Sequence, residues 1–519
     1  MKSMFIKGAA AGCALATLFT AASVDARPSR ASNGAKYVFF FLGDGMASVQ
    51  MQAAEAYKAS LMEGGEDDPT NLKAGTLNMN LLPISGMATT YSDTRLITDS
   101  AAGTAFACGV KTAAGIIGLN TDRNIAYKSV AELAHEQGKS VGIISSVSLP
   151  HATPASYYAK VNSRNNYTEI GYQAALSGFE FFGGGQFRYM SSTDNAGGIA
   201  VSEAFANNDY TFVSSIEDLE HVSGKVVCSV ATSYDSNAMP YHMDSPPENF
   251  TLAEVTAAAI NRLQNDPDGF FISVEGGKID WAGHANDAKA NITDTIAFDD
   301  AVGEALAFYN EHPAETLIVV TGDHETGGMS IGYTGTKYET AFETLEAQTI
   351  SYDLFNRQIM GDYKSSHTWV DAETSNIDAD MMDIISNCFG LVWTDLSEYQ
   401  QEQLEAAYDR ELGGVKADSR ASGYDLNGYT DVDYTIYGGY KAIAVTCTHI
   451  LNQESGLYWA STSHTAVPVP VPVMAVGFDA YRFNGFYDNT DIAKFLGQAM
   501  RTPALPVQDP DYTGGGLAY

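Results

Sequence analysis

Four runs of apolar residues, each of strand length, end in small clusters of polar chemistry, and this pairing limits the chain to few folds. Residues 37–42 (YVFFFL) end in GDGMAS, and residues 141–147 (VGIISSV) lead to His151. Residues 270–274 (FFISV) end in EGGKIDWAGH, and residues 317–320 (LIVV) end in TGDHETGG. Runs that are apolar throughout suit strands buried on both faces, as in a parallel sheet. Between them, Val130, Leu133 and Ala134 fall at helical spacing ahead of Gly138. Phe298, Val302, Leu306 and Tyr309 do so ahead of Pro313. Each is a helix followed by a stop signal. The alternation predicts an α/β domain with a mostly parallel sheet, and such sheets place their sites at the carboxyl ends of the strands.

The chain has 519 residues, of which 29 are Lys or Arg and 63 are Asp or Glu, a formal charge of −34. Nucleic acid and anionic membrane surfaces would be repelled, so neither is expected as a partner. With 45% hydrophobic and 18% charged residues the chain is globular rather than disordered. Lys2 and Lys7, an apolar run over 9–22 and the exit Val24-Asp25-Ala26 have the layout of a secretory leader cleaved after Ala26. No later apolar run is long enough to span a membrane. The expected protein is therefore exported, with no membrane anchor. Cys108, Cys228, Cys388 and Cys447 are scattered without a CxxC pair. They read as free, buried small side chains ahead of one or two bridges.

Residues 331–439 change character, being rich in Tyr, Glu, Asp and Asn. They read as an insertion into an α/β domain made of residues 35–330 and 440–501. In VPVPVPV (467–473), Pro468, Pro470 and Pro472 remove donors from one edge of a strand, so the run should pair on one side at most. Residues 502–519 are expected to form a flexible tail. No internal repeat is present.

The polar groups at the strand ends form a set. Asp44 lies between Gly43 and Gly45, where one carboxylate could face two ions. Glu275 is followed by two glycines, then by Asp280 and His284, which share one face if that segment is helical. Asp323 and His324 are adjacent, and His464 lies in TSHTAVP. So many carboxylates in a water-poor cleft cost several kcal/mol per unpaired charge unless cations compensate. Asp280, His284 and His464 suit zinc, and Asp44, Asp323 and His324 suit a second zinc with Ser100 as a fourth ligand. Glu275, an Asp44 oxygen and a hydroxyl form an oxygen site of the kind magnesium prefers, with Thr153 as the candidate hydroxyl. Two zinc ions about 4 Å apart would clamp both oxygens of an in-line phosphoryl displacement. Arg164 offers a planar fork for phosphate oxygens. In TDSAAGTAFACG (98–109), Ser100 reads either as the N-cap of a buried helix or as a nucleophile at a helix N-terminus.

GDGM, TDSAAGTA, the His151-Ala-Thr153 triplet with Arg164, EGGKIDWAGH, TGDHE and TSHT, in this order, resemble alkaline phosphatases over nearly the whole chain after the leader. The resemblance implies a three-layer α/β sandwich and an exported, homodimeric enzyme. It would hydrolyse phosphate monoesters at two zinc ions and one magnesium ion. By motif, the first zinc site is Asp280, His284 and His464. The second is Asp44, Ser100, Asp323 and His324. The magnesium site is Asp44, Thr153 and Glu275. Ser100 is the implied nucleophile, forming a phosphoserine intermediate, and Arg164, oriented by Asp99, binds phosphate.

Where the enterobacterial pattern has Asp and Lys, this chain has His151 and Trp281, which resembles marine, Vibrio-type members. Both residues are then expected beside the substrate. One cation fewer there implies phosphate held less tightly and released sooner. The insertion is expected to overhang one wall of the cleft and to contribute to the dimer. Sulfatases fit less well because Ser100 lacks their following Pro and Arg. Related phosphodiesterases use Thr as nucleophile, and an acidic metal-binding protein without catalysis is the reading from a different class.

Overall fold

The computed structural model describes residues 34–62, 69–98, 100–336, 338–367, 377–412, 437, 439–460 and 466–512. The apolar runs become the middle of a ten-stranded sheet. In chain order its strands are β1 (Tyr37–Gly43), β2 (Ile84–Ala88), β3 (Ser140–Ser145), β4 (Phe181–Gly184) and β5 (Tyr210–Val213). They continue with β6 (Lys225–Ser229), β7 (Phe270–Glu275), β8 (Thr316–Gly322), β9 (Val471–Gly477) and β10 (Gly485–Tyr487). Across the sheet the order is β10-β2-β9-β8-β1-β7-β3-β4-β6-β5. Strand β9 runs antiparallel to both neighbours, and every other pairing is parallel.

Every residue of β1, β3, β7 and β8 is buried, as their unbroken apolar character requires. Side chains alternate between the two faces. Val38, Phe40 and Leu42 pack with Phe106, Val141, Leu133 and Leu496 on one side. Phe39 and Phe41 pack with Ile272, Val274, Val255 and Phe298 on the other. Phe39, Phe40 and Phe41 are fully buried, and burial of each such ring contributes about 2 kcal/mol. Helices thus cover both faces, which makes the expected three layers.

The helix Val130–Glu136 starts at Ser129, whose hydroxyl accepts from Glu132 N–H while the Glu132 carboxylate accepts from Ser129 N–H. Its chain leaves through Gly138 at φ +88°. The helix Ala288–Glu311 runs 24 residues, about 36 Å, and ends just before Pro313. In the proline run, Val471 and Pro472 pair only with β2, and pairing on both sides begins at Val473. All four described cysteines are free thiols.

Two regions bear on the expected insertion and tail. Met329–Ile331 pairs antiparallel with Leu457–Trp459, which brings the two ends of residues 332–456 side by side. The helix Ala442–Ser455, expected in the α/β part, shares a separate core with Phe355, Met381, Ile385, Phe389 and Leu404 of the insertion. Its apolar Ile443, Ala444 and Cys447 are the reason, since they face these side chains. The expected tail is held as far as residue 512. Val507–Gln508 pairs with Tyr127–Lys128, and Leu505 is buried in the sheet core. The expected leader and residues 513–519 lie outside the described residues.

Candidate active site

Parallel register assembles the site. Leu42 lies opposite Glu275, Gly43 opposite Gly322 and Ser145 opposite Glu275. The residues at or just after these strand ends, Asp44, Glu275 and Asp323, therefore emerge along one edge of the sheet. All three are almost fully buried. Gly45, at φ +71°, lets Asp280 and Thr326 come close to the loop that carries Asp44: a Cβ there would lie 2.8 Å from both the Asp280 Cα and the Thr326 Oγ1.

Two groups of potential ligand atoms share Asp44. One is Asp44, Asp323 and His324, and the other is Asp44, His151 and Glu275, each with its atoms within 4.8 Å of one another. His324 Nε2 is 3.5 Å from Asp44 Oδ1 and 3.3 Å from Asp323 Oδ2. Asp323 Oδ1 accepts from the backbone N–H groups of Gly45 and His324. The segment Lys278–Ala285 is helical, and His284 Nε2 lies 3.3 Å from Asp280 Oδ2 one turn away. Thr326 ties this pair to the first group. Its hydroxyl donates to Asp280 Oδ1 at 2.5 Å and lies 3.1 Å from His324 Nδ1. His464 and Asp99 lie outside the described residues.

Ser100 occupies the N-cap position of the helix Ala101–Cys108, yet its hydroxyl caps nothing. Its Oγ instead accepts from Gly115 N–H at 2.8 Å, and Gly115 C=O accepts from Arg164 N–H at 2.7 Å. One peptide loop thus links the serine to the arginine. The Arg164 guanidinium is 2.8 Å from His151 Nε2. Arginine has no acceptor, so that nitrogen carries the lone pair. Trp281 meets the His151 ring edge-on, with centroids 5.8 Å apart. Gly115 and Thr326 escape sequence reading because loop closure, not local pattern, brings them in. Gly115 itself sits at φ +83°, a backbone conformation that favours glycine.

Electrostatics favour cations here. Burial pushes the Glu275 carboxyl up to about 8, with Asp323 and Asp280 adding to the shift, while hydroxyls of Ser145 and Thr153 donate to it and oppose the shift. Burial also raises Asp323, against the pull of His324. Burial alone would raise Asp280, but His284 and His324 hold it well below the usual carboxylate range. Glu275 Oε1 is buried without a hydrogen-bond partner among the described residues. Such an oxygen, in a set of carboxylates, hydroxyl and imidazole, fits a hard divalent cation.

A serine freed from capping, an arginine fork and buried ligand clusters at the edge of a parallel sheet are the equipment of a metal-dependent hydrolase that handles phosphate. The comparisons narrow this class. The family model for alkaline phosphatase matches residues 35–502. Alkaline phosphatase 4 of Bacillus subtilis is 28% identical over 474 residues, covering 90% of this chain and 88% of the relative. Alkaline phosphatase from Thermus thermophilus superposes with a TM-score of 0.69 at 25% identity, covering 91% of this chain and 93% of that one. The cold-active alkaline phosphatase of a psychrophilic Shewanella superposes at 0.68 with 24% identity, covering 89% and 99%. The chain belongs to the alkaline phosphatase family.

Proposed function

We propose that the protein hydrolyses phosphate monoesters through a phosphoserine intermediate on Ser100. The observation that carries this reading is the sharing of Asp44 between two ligand groups beside the serine–Gly115–Arg164 link. Asp280 and His284, with His464, would hold one zinc ion. Asp44, Ser100, Asp323 and His324 would hold a second, and Asp44, Thr153 and Glu275 a magnesium ion. When bound, these ions make the serine alkoxide accessible and neutralise developing negative charge.

The chain's own residues do the rest. Gly115 N–H fixes the Ser100 Oγ toward the cleft, where it attacks phosphorus as the alcohol departs. Arg164 grips two phosphate oxygens, and His151 holds the guanidinium from behind. The small residues Ala101, Ala102 and Gly103 let the helix approach closely: a Cβ at Gly103 would lie 3.2 Å from Thr153 Cα. Water then cleaves the phosphoserine and releases phosphate. Trp281, where a lysine would add a cation, leaves the product held by one charge fewer.

Residues 1–26 serve as an export leader in this reading. Among the described residues no helix is long and apolar enough to cross a membrane. The working unit is a homodimer to which the 331–439 insertion contributes. Ala282 and Ala285 pack into the insertion's core, and Trp281 packs against it, which supports its position along one wall of the cleft.

Ser100→Ala tests the nucleophile. It should lose at least about 10³-fold in kcat and all acid-stable incorporation of labelled phosphate. Labelling at the wild-type level would overturn the assignment.

A further inference from the structure

Lys278 stands on the same helix as Asp280 and His284 and enters neither ligand group. Its side chain is 1% exposed, and its Nζ has no hydrogen-bond partner among the described residues. The ammonium sits instead over two rings, 3.6 Å from the Tyr241 centroid and 4.7 Å from the Trp281 centroid. Burial pulls the Lys278 ammonium below the usual lysine range, and the charges of Asp353, Asp294, Asp235 and Asp244 oppose that pull. Burying an ammonium without hydrogen bonds is costly, and an uncharged chain of equal length would fill the space without that penalty. Fold stability therefore does not account for a lysine at this position. A cation between aromatic faces does something an apolar chain cannot, which is to orient the rings.

The contacts run on in both directions. Tyr241 OH donates to the Tyr352 hydroxyl of the insertion at 3.1 Å. On the other side the Trp281 indole meets His151, and His151 accepts from Arg164. We infer that Lys278 is a positioning residue: held between Tyr241 and Trp281, its ammonium fixes the indole against His151 and thereby sets Arg164 for the phosphate group. The inference rests on Arg164 as the phosphate clamp proposed above. Lys278 also explains how a chain with tryptophan at position 281 keeps a lysine's charge nearby. The cation lies behind the indole, one helical turn away, where it steadies the site without gripping the product.

Inhibition by inorganic phosphate, measured on the metal-loaded enzyme, tests this in a double-mutant cycle of Lys278→Met and Trp281→Leu, with Arg164→Ala as control. Lys278→Met should raise the phosphate inhibition constant by about three- to tenfold, with kcat changed much less. Its thermal midpoint should be equal or higher. In the Trp281→Leu background the same substitution should have no further effect, and Lys278→Arg should restore wild-type inhibition. If Lys278→Met does not fold, Lys278→Gln is carried through the same cycle. An unchanged constant in Lys278→Met, or an equal effect with and without Trp281, overturns the inference while Arg164→Ala still weakens inhibition. No effect of Arg164→Ala would remove the clamp itself, and the inference with it.

Discussion

Two buried acidic residues on neighbouring elements, Glu275 at the sheet edge and Asp287 at the start of the long helix, are satisfied in opposite ways. Asp287 is fully buried and accepts from Ala290 N–H, Tyr352 N–H and the Gln348 side-chain amide at 2.9–3.0 Å. Glu275 receives two hydroxyls and leaves Oε1 without a partner among the described residues, facing the charges of Asp323 and Asp280. Asp287 fastens the segment holding Gln348 and Tyr352 to the start of the long helix. Glu275 is left short of donors, in a place where more donors would only close the site to a cation. For these two carboxylates, complete pairing goes with a tie between segments and incomplete pairing with a place among the candidate ligands.

The contrast predicts substitutions of opposite sign. Asp287→Asn loses one acceptor oxygen among three donors and should destabilise the protein by about 2 kcal/mol, with or without chelator. Glu275→Gln should raise the thermal midpoint of the chelated protein while lowering its magnesium affinity. Equal and like-signed changes in the two variants would dissolve the distinction.

A third carboxyl sharpens it through pH. Burial raises Asp294 to about 7, and Asp244 and Asp287 add to the shift, although Lys278 and the His242 N–H oppose it. A carboxyl whose folded value lies above its unfolded value stabilises the fold fully at low pH, and that stability is lost as pH rises toward the folded value. Between about pH 4 and pH 7 the unfolding free energy should therefore fall with a slope that Asp294→Asn flattens by about one proton. Parallel curves for the two proteins would contradict this.

A smaller effect is expected at Trp281. Trp281→Lys should tighten phosphate inhibition by about fivefold. The gain is limited because the new ammonium would share its surroundings with Lys278, whose Nζ already lies over this side chain. Unchanged inhibition would mean that position 281 does not face the substrate.

These differences also show what a sequence can display. The strands and their polar ends were legible because an unbroken apolar run demands burial on both faces, and parallel pairing then puts residues 44, 275 and 323 at one edge. Asp280 and His284 were legible from helical spacing alone. Gly115, Thr326 and Lys278 were not, since each acts on a partner reached through a loop or across a packed ring, with no period to announce it. A boundary at 439/440 is hard to read because the helix Ala442–Ser455 is apolar toward two cores. Leu451 joins the sheet core while Ile443 and Ile450 join the insertion's. The tail looked free because Leu505 and Val507 are isolated apolar residues in a polar stretch, yet two anchors suffice to hold it.

The central claim is that the Asp44 carboxylate serves two cation sites at once. Metal content per chain, measured by elemental analysis of protein equilibrated with zinc and magnesium and then freed of excess ions, tests it directly. The wild-type chain should retain three ions. Asp44→Ala should keep only the ion assigned to Asp280, His284 and His464, losing one zinc and the magnesium together. Loss of a single ion, or of none, would contradict the account.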